Sequence, residues 1–170
     1  MPEFRDVSVT DAGALTLLTQ YFSDRRSSFP PVQGSYRTRM PAPEQFLPPR
    51  GVFLLLSEDG EGRAGVFVGC GGISRIEDAP DGSVRFEIKH LWLQEHVRGR
   101  GWGRALLEEL ERRAVGLGAD EVVLDTNASL EAAGSLYRSA GYESIPPYND
   151  NPNATNWYRK RLVSPAHSPA

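Results

Sequence analysis

The chain has 170 residues, 39% hydrophobic and 24% charged, enough apolar material to bury the core of one domain. A formal net charge of −3 excludes a surface that is everywhere an electrostatic footprint for nucleic acid. The single cysteine, Cys70, excludes an internal disulfide and a multi-cysteine metal centre, and no apolar run approaches the roughly 20 residues of a membrane-crossing helix.

The opening MPEFRDVSVTDAG has neither the basic start nor the apolar core of a signal peptide, so a soluble, cytoplasmic protein without membrane or nucleic-acid partners is expected. Within it EFRDVSV alternates as a half-buried strand does. DAGALTLLTQYF continues as a helix with Asp11 as N-cap and Leu15, Leu18 and Phe22 on its apolar stripe. Residues 23–50, rich in proline, serine and arginine, read as a lid over a substrate, the alternative being a disordered connection. GVFLLLS, AGVFVGCGGISRI and VRFEIKHLWLQ are separated by EDGEGR and DAPDGS, whose Asp-Gly pairs mark turns, and they predict a three-stranded antiparallel meander.

The next stretch, HVRGRGWGRALLEELERRA, sets Gly99, Gly101 and Gly103 among Arg98, Arg100 and Arg104. It then places Trp102, Leu106, Leu107, Leu110, Ala114 and Leu117 at helical spacing, with Glu108/Arg112 and Glu109/Arg113 as outer pairs and Gly116 and Gly118 as stops. EVVLDT reads as a buried strand and SLEAAGSLYRSA as a helix, with Ser129 as N-cap and Gly141 as C-terminal stop. YESI and TNWYRKRL make final strands around PPYNDNPNA. Strand-helix-strand-helix order implies one parallel pairing within a mixed sheet. A single domain over 1–163 with a flexible tail at 164–170 is expected.

A glycine-rich turn entering a helix lets backbone N–H groups approach an anion, and the helix dipole adds attraction. The phosphate-binding loop ending in Gly-Lys-Ser/Thr is absent, and Gly99, Gly101 and Gly103 give G-x-G-x-G rather than the dinucleotide fingerprint. Residues 98–103 instead resemble the Q/R-x-x-G-x-G/A pyrophosphate loop of the GNAT acetyltransferases. Downstream, LEAAGSLYRSAGY is similar to that superfamily's N-x-x-A-x-x-L-Y-x-x-x-G-F/Y through Ala133, Leu136, Tyr137, Gly141 and Tyr142. Leu130 stands where the pattern has Asn, and Asn127, three residues upstream, is the candidate replacement.

This resemblance implies a mixed α/β fold: a mostly antiparallel sheet with a parallel splayed pair and flanking helices. It implies acetyl-CoA as cosubstrate and no metal. Leu91, Trp92 and Leu93 would lie along the acyl-pantetheine arm, and Arg98, Gly99, Arg100, Gly101, Trp102, Gly103 and Arg104 would hold the pyrophosphate. Tyr137 would contact the cofactor and serve as general acid to the leaving thiolate, and a backbone N–H near Leu93 would stabilise the oxyanion. Glu87 lies eleven residues before Arg98, where some protein-acetylating relatives carry a base. His90 is the rival base, with water a third route, and strand alternation puts 88, 90 and 92 on the face opposite 87, 89 and 91. The plainer readings are a core tyrosine, a solvated strand glutamate and a flexible arginine loop.

The expected function is direct acetyl transfer, in a ternary complex, to the primary amine of a small molecule. The acceptor site would lie between 23–50 and 146–158, with Tyr36, Tyr148 and Asn149 lining it. The alternatives are a protein or peptide N-acetyltransferase and a non-catalytic acyl-CoA-binding sensor. A monomer or homodimer is expected.

Overall fold

The computed structural model describes residues 1–58 and 66–162. The elements run β1 (Glu3–Asp6), α1 (Ala12–Ser28), β2 (Gly51–Ser57), β3 (Phe67–Arg75), β4 (Arg85–Leu93), α2 (Trp102–Gly116), β5 (Glu121–Thr126), α3 (Glu131–Ser139), β6 (Glu143–Ile145) and β7 (Asn156–Arg161). They form one seven-stranded sheet in the order β1-β2-β3-β4-β5-β7-β6. Every pairing is antiparallel except that of β4 with β5. The mixed α/β fold expected from the sequence is the one observed. Among the described residues no helix is long and apolar enough to cross a membrane.

The unbroken apolar run of β2 is explained by burial on both faces. Val52, Leu54 and Leu56 pack with Leu106, Leu107 and Leu110 of α2, whereas Phe53 and Leu55 pack with Leu17, Leu18 and Phe22 of α1. Fully burying each such side chain contributes about 1.5–3 kcal/mol. The glycines of β3 let these layers close: a Cβ at Gly72 would lie 2.5 Å from the Phe46 ring, and one at Gly71 would lie 2.9 Å from Leu110.

Asp11 caps α1 as expected, its carboxylate accepting from the N–H groups of Gly13 and Ala14. The helix runs further than expected, to Ser28, because chain-breaking chemistry begins only at Phe29, held extended before Pro30. Its buried stripe is Ala14, Leu17, Leu18 and Phe22, and Leu15 is exposed. Residues 29–50 contain only two short 3₁₀ turns, Pro31–Gln33 and Pro43–Phe46. Ser129 does not cap α3. Leu130 takes that place, because Asn127 Oδ1 accepts from the Ser129 N–H and shapes the entry as a local turn. Arg112 pairs with Glu109 rather than Glu108, sharing that carboxylate with Arg113. Gly118 and Gly141, both at φ +94, follow the ends of α2 and α3. Most of the EDGEGR turn and the 164–170 segment lie outside the described residues.

Candidate active site

β4 and β5 pair only over Arg85–Glu87 and Glu121–Val123, then part. Just beyond, β4 carries an extra residue against β3. Lys89 faces Gly72 and Trp92 faces Cys70, so His90 and Leu91 together oppose Gly71, and His90 adopts φ +57. This bulge overturns the alternation expected from the sequence. The His90 ring packs edge-on against Tyr21 and Phe22 at 5.4 and 5.6 Å and lines the same cavity as Glu87 and Lys89. The Gln94 N–H donates to Val68 on β3, so alternation after the bulge turns the backbone of Leu91 and Leu93 toward the parted β5 edge. The Leu93 carbonyl accepts from Arg98 Nε at 2.9 Å. Trp92 points the other way, its indole N–H donating to Asp24 at 3.0 Å.

The glycine loop follows. Gly99 and Gly101 sit at φ +79 and +80, Gly101 occupies the N-cap position of α2, and neither would bring a Cβ near any other atom. The first α2 bond runs from the Ala105 N–H to the Gly101 carbonyl, and the N–H groups of residues 99–104 have no acceptor among the described residues. Six consecutive free donors at a helix N-terminus form a cradle for an anion. The arginines bound it: Arg98 stands 3.6 Å from Asp24, Arg100 stacks on Trp102 and pairs with Glu58 at 2.9 Å, and Arg104 donates to Ser139. A Cβ at Gly103 would make only ordinary contact with Leu136 and Leu93.

On the α1 side of the splay lies a cavity of about 740 Å³, walled by α1, residues 36–46, β4, β5, the start of α3 and residues 149–154. Its floor is a polar cluster. The Lys89 ammonium bridges both oxygens of Asp125, at 3.0 and 3.1 Å, and stands 3.5 Å from Glu87. The Tyr148 hydroxyl donates to Glu87 at 2.6 Å, and Asn149 donates to Asp125 at 2.7 Å while accepting from the Trp157 indole. Burial raises the Glu87 carboxyl above its usual range despite the opposing charge of Lys89. Burial works against the Lys89 ammonium too, but Glu87 and Asp125 outweigh it and hold its pKa up. The Tyr148 phenol is pushed up by burial and then by Glu87, and so stays protonated. His90 is driven down to about 3 by burial, then by the Lys89 charge, and so is neutral.

Tyr137 on α3 lines this cavity, its ring against Tyr142 and Tyr158, and its phenol is pushed up to about 12 by burial. Nothing among the described residues hydrogen-bonds its hydroxyl. Asn127, also on the cavity wall, donates to Gln33 at 2.7 Å and to the Asn153 carbonyl at 3.1 Å. Tyr36 packs against Phe29 at 5.6 Å. Asn153 clamps the neighbouring backbone, accepting from the Arg37 N–H at 2.9 Å and donating to the Arg37 carbonyl at 2.8 Å.

The structure thus gathers Glu87, Tyr36, Tyr137, Asn127, Asn149 and Leu91 around one cavity, with Tyr148 bonded to its floor, and sets residues 98–104 apart at the start of α2. Sequence reasoning missed Lys89, Asp125 and Arg25. Asp125 carried a legible signal, a carboxylate inside the apolar run EVVLDT. Lys89 lies two residues beyond Glu87 and so on the same strand face. Arg25 was hidden by ending α1 too early.

Residues 18–142 match the model of the Acetyltransferase (GNAT) family. An N-acetyltransferase of Schizosaccharomyces pombe, itself described as uncharacterized, is 32% identical over 105 residues, 62% of this chain and 60% of that protein. The chain therefore spans less than two thirds of that relative's length. A GNAT-family acetyltransferase of Staphylococcus aureus superposes with a TM-score of 0.72 at 17% identity, over 95% of this chain and 100% of that one. A phosphinothricin acetyltransferase of Sinorhizobium meliloti, solved with acetyl-CoA, gives a TM-score of 0.64 at 17% identity over 99% and 93% of the two chains.

Proposed function

The chain belongs to the GNAT acetyltransferase family, and from that membership we propose that it transfers an acetyl group from acetyl-CoA to the primary amine of a small molecule. The observation that carries this reading is the joining of Tyr137, the Glu87–Lys89–Asp125 cluster and the parted β4 edge in one cavity beside the free N–H groups of residues 99–104.

The residues present fit acetyl-CoA. The 99–104 donors suit a pyrophosphate, with Arg98, Arg100, Trp102 and Arg104 around it and Gly103 among the donors. The backbone of Leu91 and Leu93 suits an amide-bearing arm laid along the splay, the Trp92 side chain bracing the strand against α1 through Asp24. When bound, the group supplies an acetyl thioester as acyl donor.

With two carboxylates against the single ammonium of Lys89, the Glu87–Lys89–Asp125 cluster keeps an excess of negative charge and draws the acceptor ammonium to the cavity floor. Glu87, its affinity for protons raised by burial, takes the amine proton directly or through water. An unpaired N–H at Leu91 or Leu93 stabilises the oxyanion. Tyr137, with no competing partner, donates to the departing sulfur. Asn127 holds the lid through Gln33 and bounds the arm's path, while Tyr36, Tyr148 and Asn149 shape the acceptor end.

A panel of small primary amines and short peptides, with release of free CoA as the readout, tests this. Turnover of small amines is the expected result. Turnover of peptides alone moves the assignment to a protein acetyltransferase, and CoA binding without any turnover moves it to a sensor.

A further inference from the structure

The polar cluster explains how an ammonium is held at one end of the cavity and leaves the opposite wall unexplained. There α1 presents Tyr21, Phe22, Arg25, Ser28 and Phe29 to the cavity, a single helical stripe. The Arg25 side chain is only 17% exposed, and its guanidinium lies over the Tyr21 ring at 5.2 Å. Its one charged contact among the described residues is Asp24 at 3.9 Å, and that same carboxylate oxygen already takes the Trp92 indole at 3.0 Å and faces Arg98 at 3.6 Å. No hydrogen bond engages the Arg25 donors among the described residues. A largely buried guanidinium with five unengaged N–H groups is costly unless a ligand satisfies it. Its charge acts on the phenols of Tyr36 and Tyr137, and so, with opposite sign, does that of Asp125. Charges of both signs therefore line one cavity.

We propose that Arg25 is an anion-binding subsite and that the acceptor is an amine that also carries an anionic group, an amino acid or aminophosphonate rather than a simple amine or diamine. The ammonium goes to Glu87 and Asp125, and the carboxylate or phosphonate goes to Arg25, a planar donor matched to such groups. Tyr36, whose phenol is pushed up by burial and so keeps its proton, lines the same cavity. Phe22, Phe29 and Phe46 also line the cavity, which favours an apolar side chain. This identification rests on the acetyl-transfer reading for its purpose and not for its test.

Calorimetry on the full chain, with and without CoA, compares L-methionine, L-phenylalanine and 1-aminoethylphosphonate with 3-(methylthio)propylamine, phenethylamine and ethylamine, the same amines without the acid. The acid-bearing member should bind at least about 10-fold more tightly, and Arg25→Gln should erase that preference while changing CoA affinity and the decarboxylated amines by less than about 2-fold. Arg25→Glu should turn the preference toward diamines. The proposal is overturned if the decarboxylated amines bind equally well, if neither class binds, if the preference survives Arg25→Gln, or if the variant loses CoA instead. Thioester consumption is followed in parallel: selective binding without consumption keeps the subsite and removes the transfer reading.

Discussion

Tyr137 lines the cavity with its hydroxyl lacking a hydrogen-bond partner among the described residues, and its burial keeps the phenol protonated across the working range. Tyr137→Phe removes one oxygen and leaves the ring contacts with Tyr142 and Tyr158 intact. Turnover should fall by about 100-fold or more with CoA affinity unchanged, and equal losses in both would make Tyr137 a packing residue. Glu87 gives a pH signature whose sign follows from its environment. Its carboxyl is raised by burial, so the base is protonated and idle at low pH, and activity should climb with pH through a limb above the ordinary carboxylate range. Glu87→Gln should abolish that limb when kcat/KM is followed for two acceptors of different amine pKa, because a limb owned by the amine would move with the acceptor. His90, held near 3, is neutral throughout this window, so His90→Gln should leave the limb in place.

At the scale of elements, the loop between β4 and α2 depends on backbone conformation more than on side chains. Gly101→Val meets open space for its Cβ, so the fold can accept it, at a backbone strain of about 1–2 kcal/mol for φ near +80. The branched side chain would stand among the free N–H groups and should weaken CoA binding by about 10-fold or more, read by calorimetry beside a melting curve. This loop was legible because glycines at alternating positions before an amphipathic run have few other uses. The strands GVFLLLS and EVVLDT were legible because runs so short and apolar must be buried. The bulge in HLWLQ was not. Nothing in a β-rich stretch marks which residue will be doubled, and one extra residue carried His90 to the face of Glu87. Nor was the end of α1 legible, since SDRRSS has the composition of a loop, and its arginine matters only through a helical stripe that forms on folding.

Across the whole molecule, the cavity is roofed by residues 29–50, which touch the opposite wall through neutral amides: Asn153 on the Arg37 backbone and Asn127 on Gln33. Each such bond contributes about 0.5–1.5 kcal/mol net, so the part of the roof around residues 33–37 is held lightly, whereas Phe46 anchors the later part in the core. Asn153→Ala should raise the acceptor KM by about 10-fold and leave CoA affinity unchanged, because the 98–104 cradle lies elsewhere; a parallel loss of both in steady-state kinetics would show that the roof also orders the donor half. The same arrangement bears on how such a protein can diversify. Residues proposed to meet the acceptor come from α1, the roof and the 148–154 loop, whereas those suited to the donor come from the end of β4, the glycine loop and α3. Inheritance can therefore rewrite the first set while the second is passed on intact, and under the proposed function a lineage built on this sheet can change its acceptor without relearning how to hold its donor.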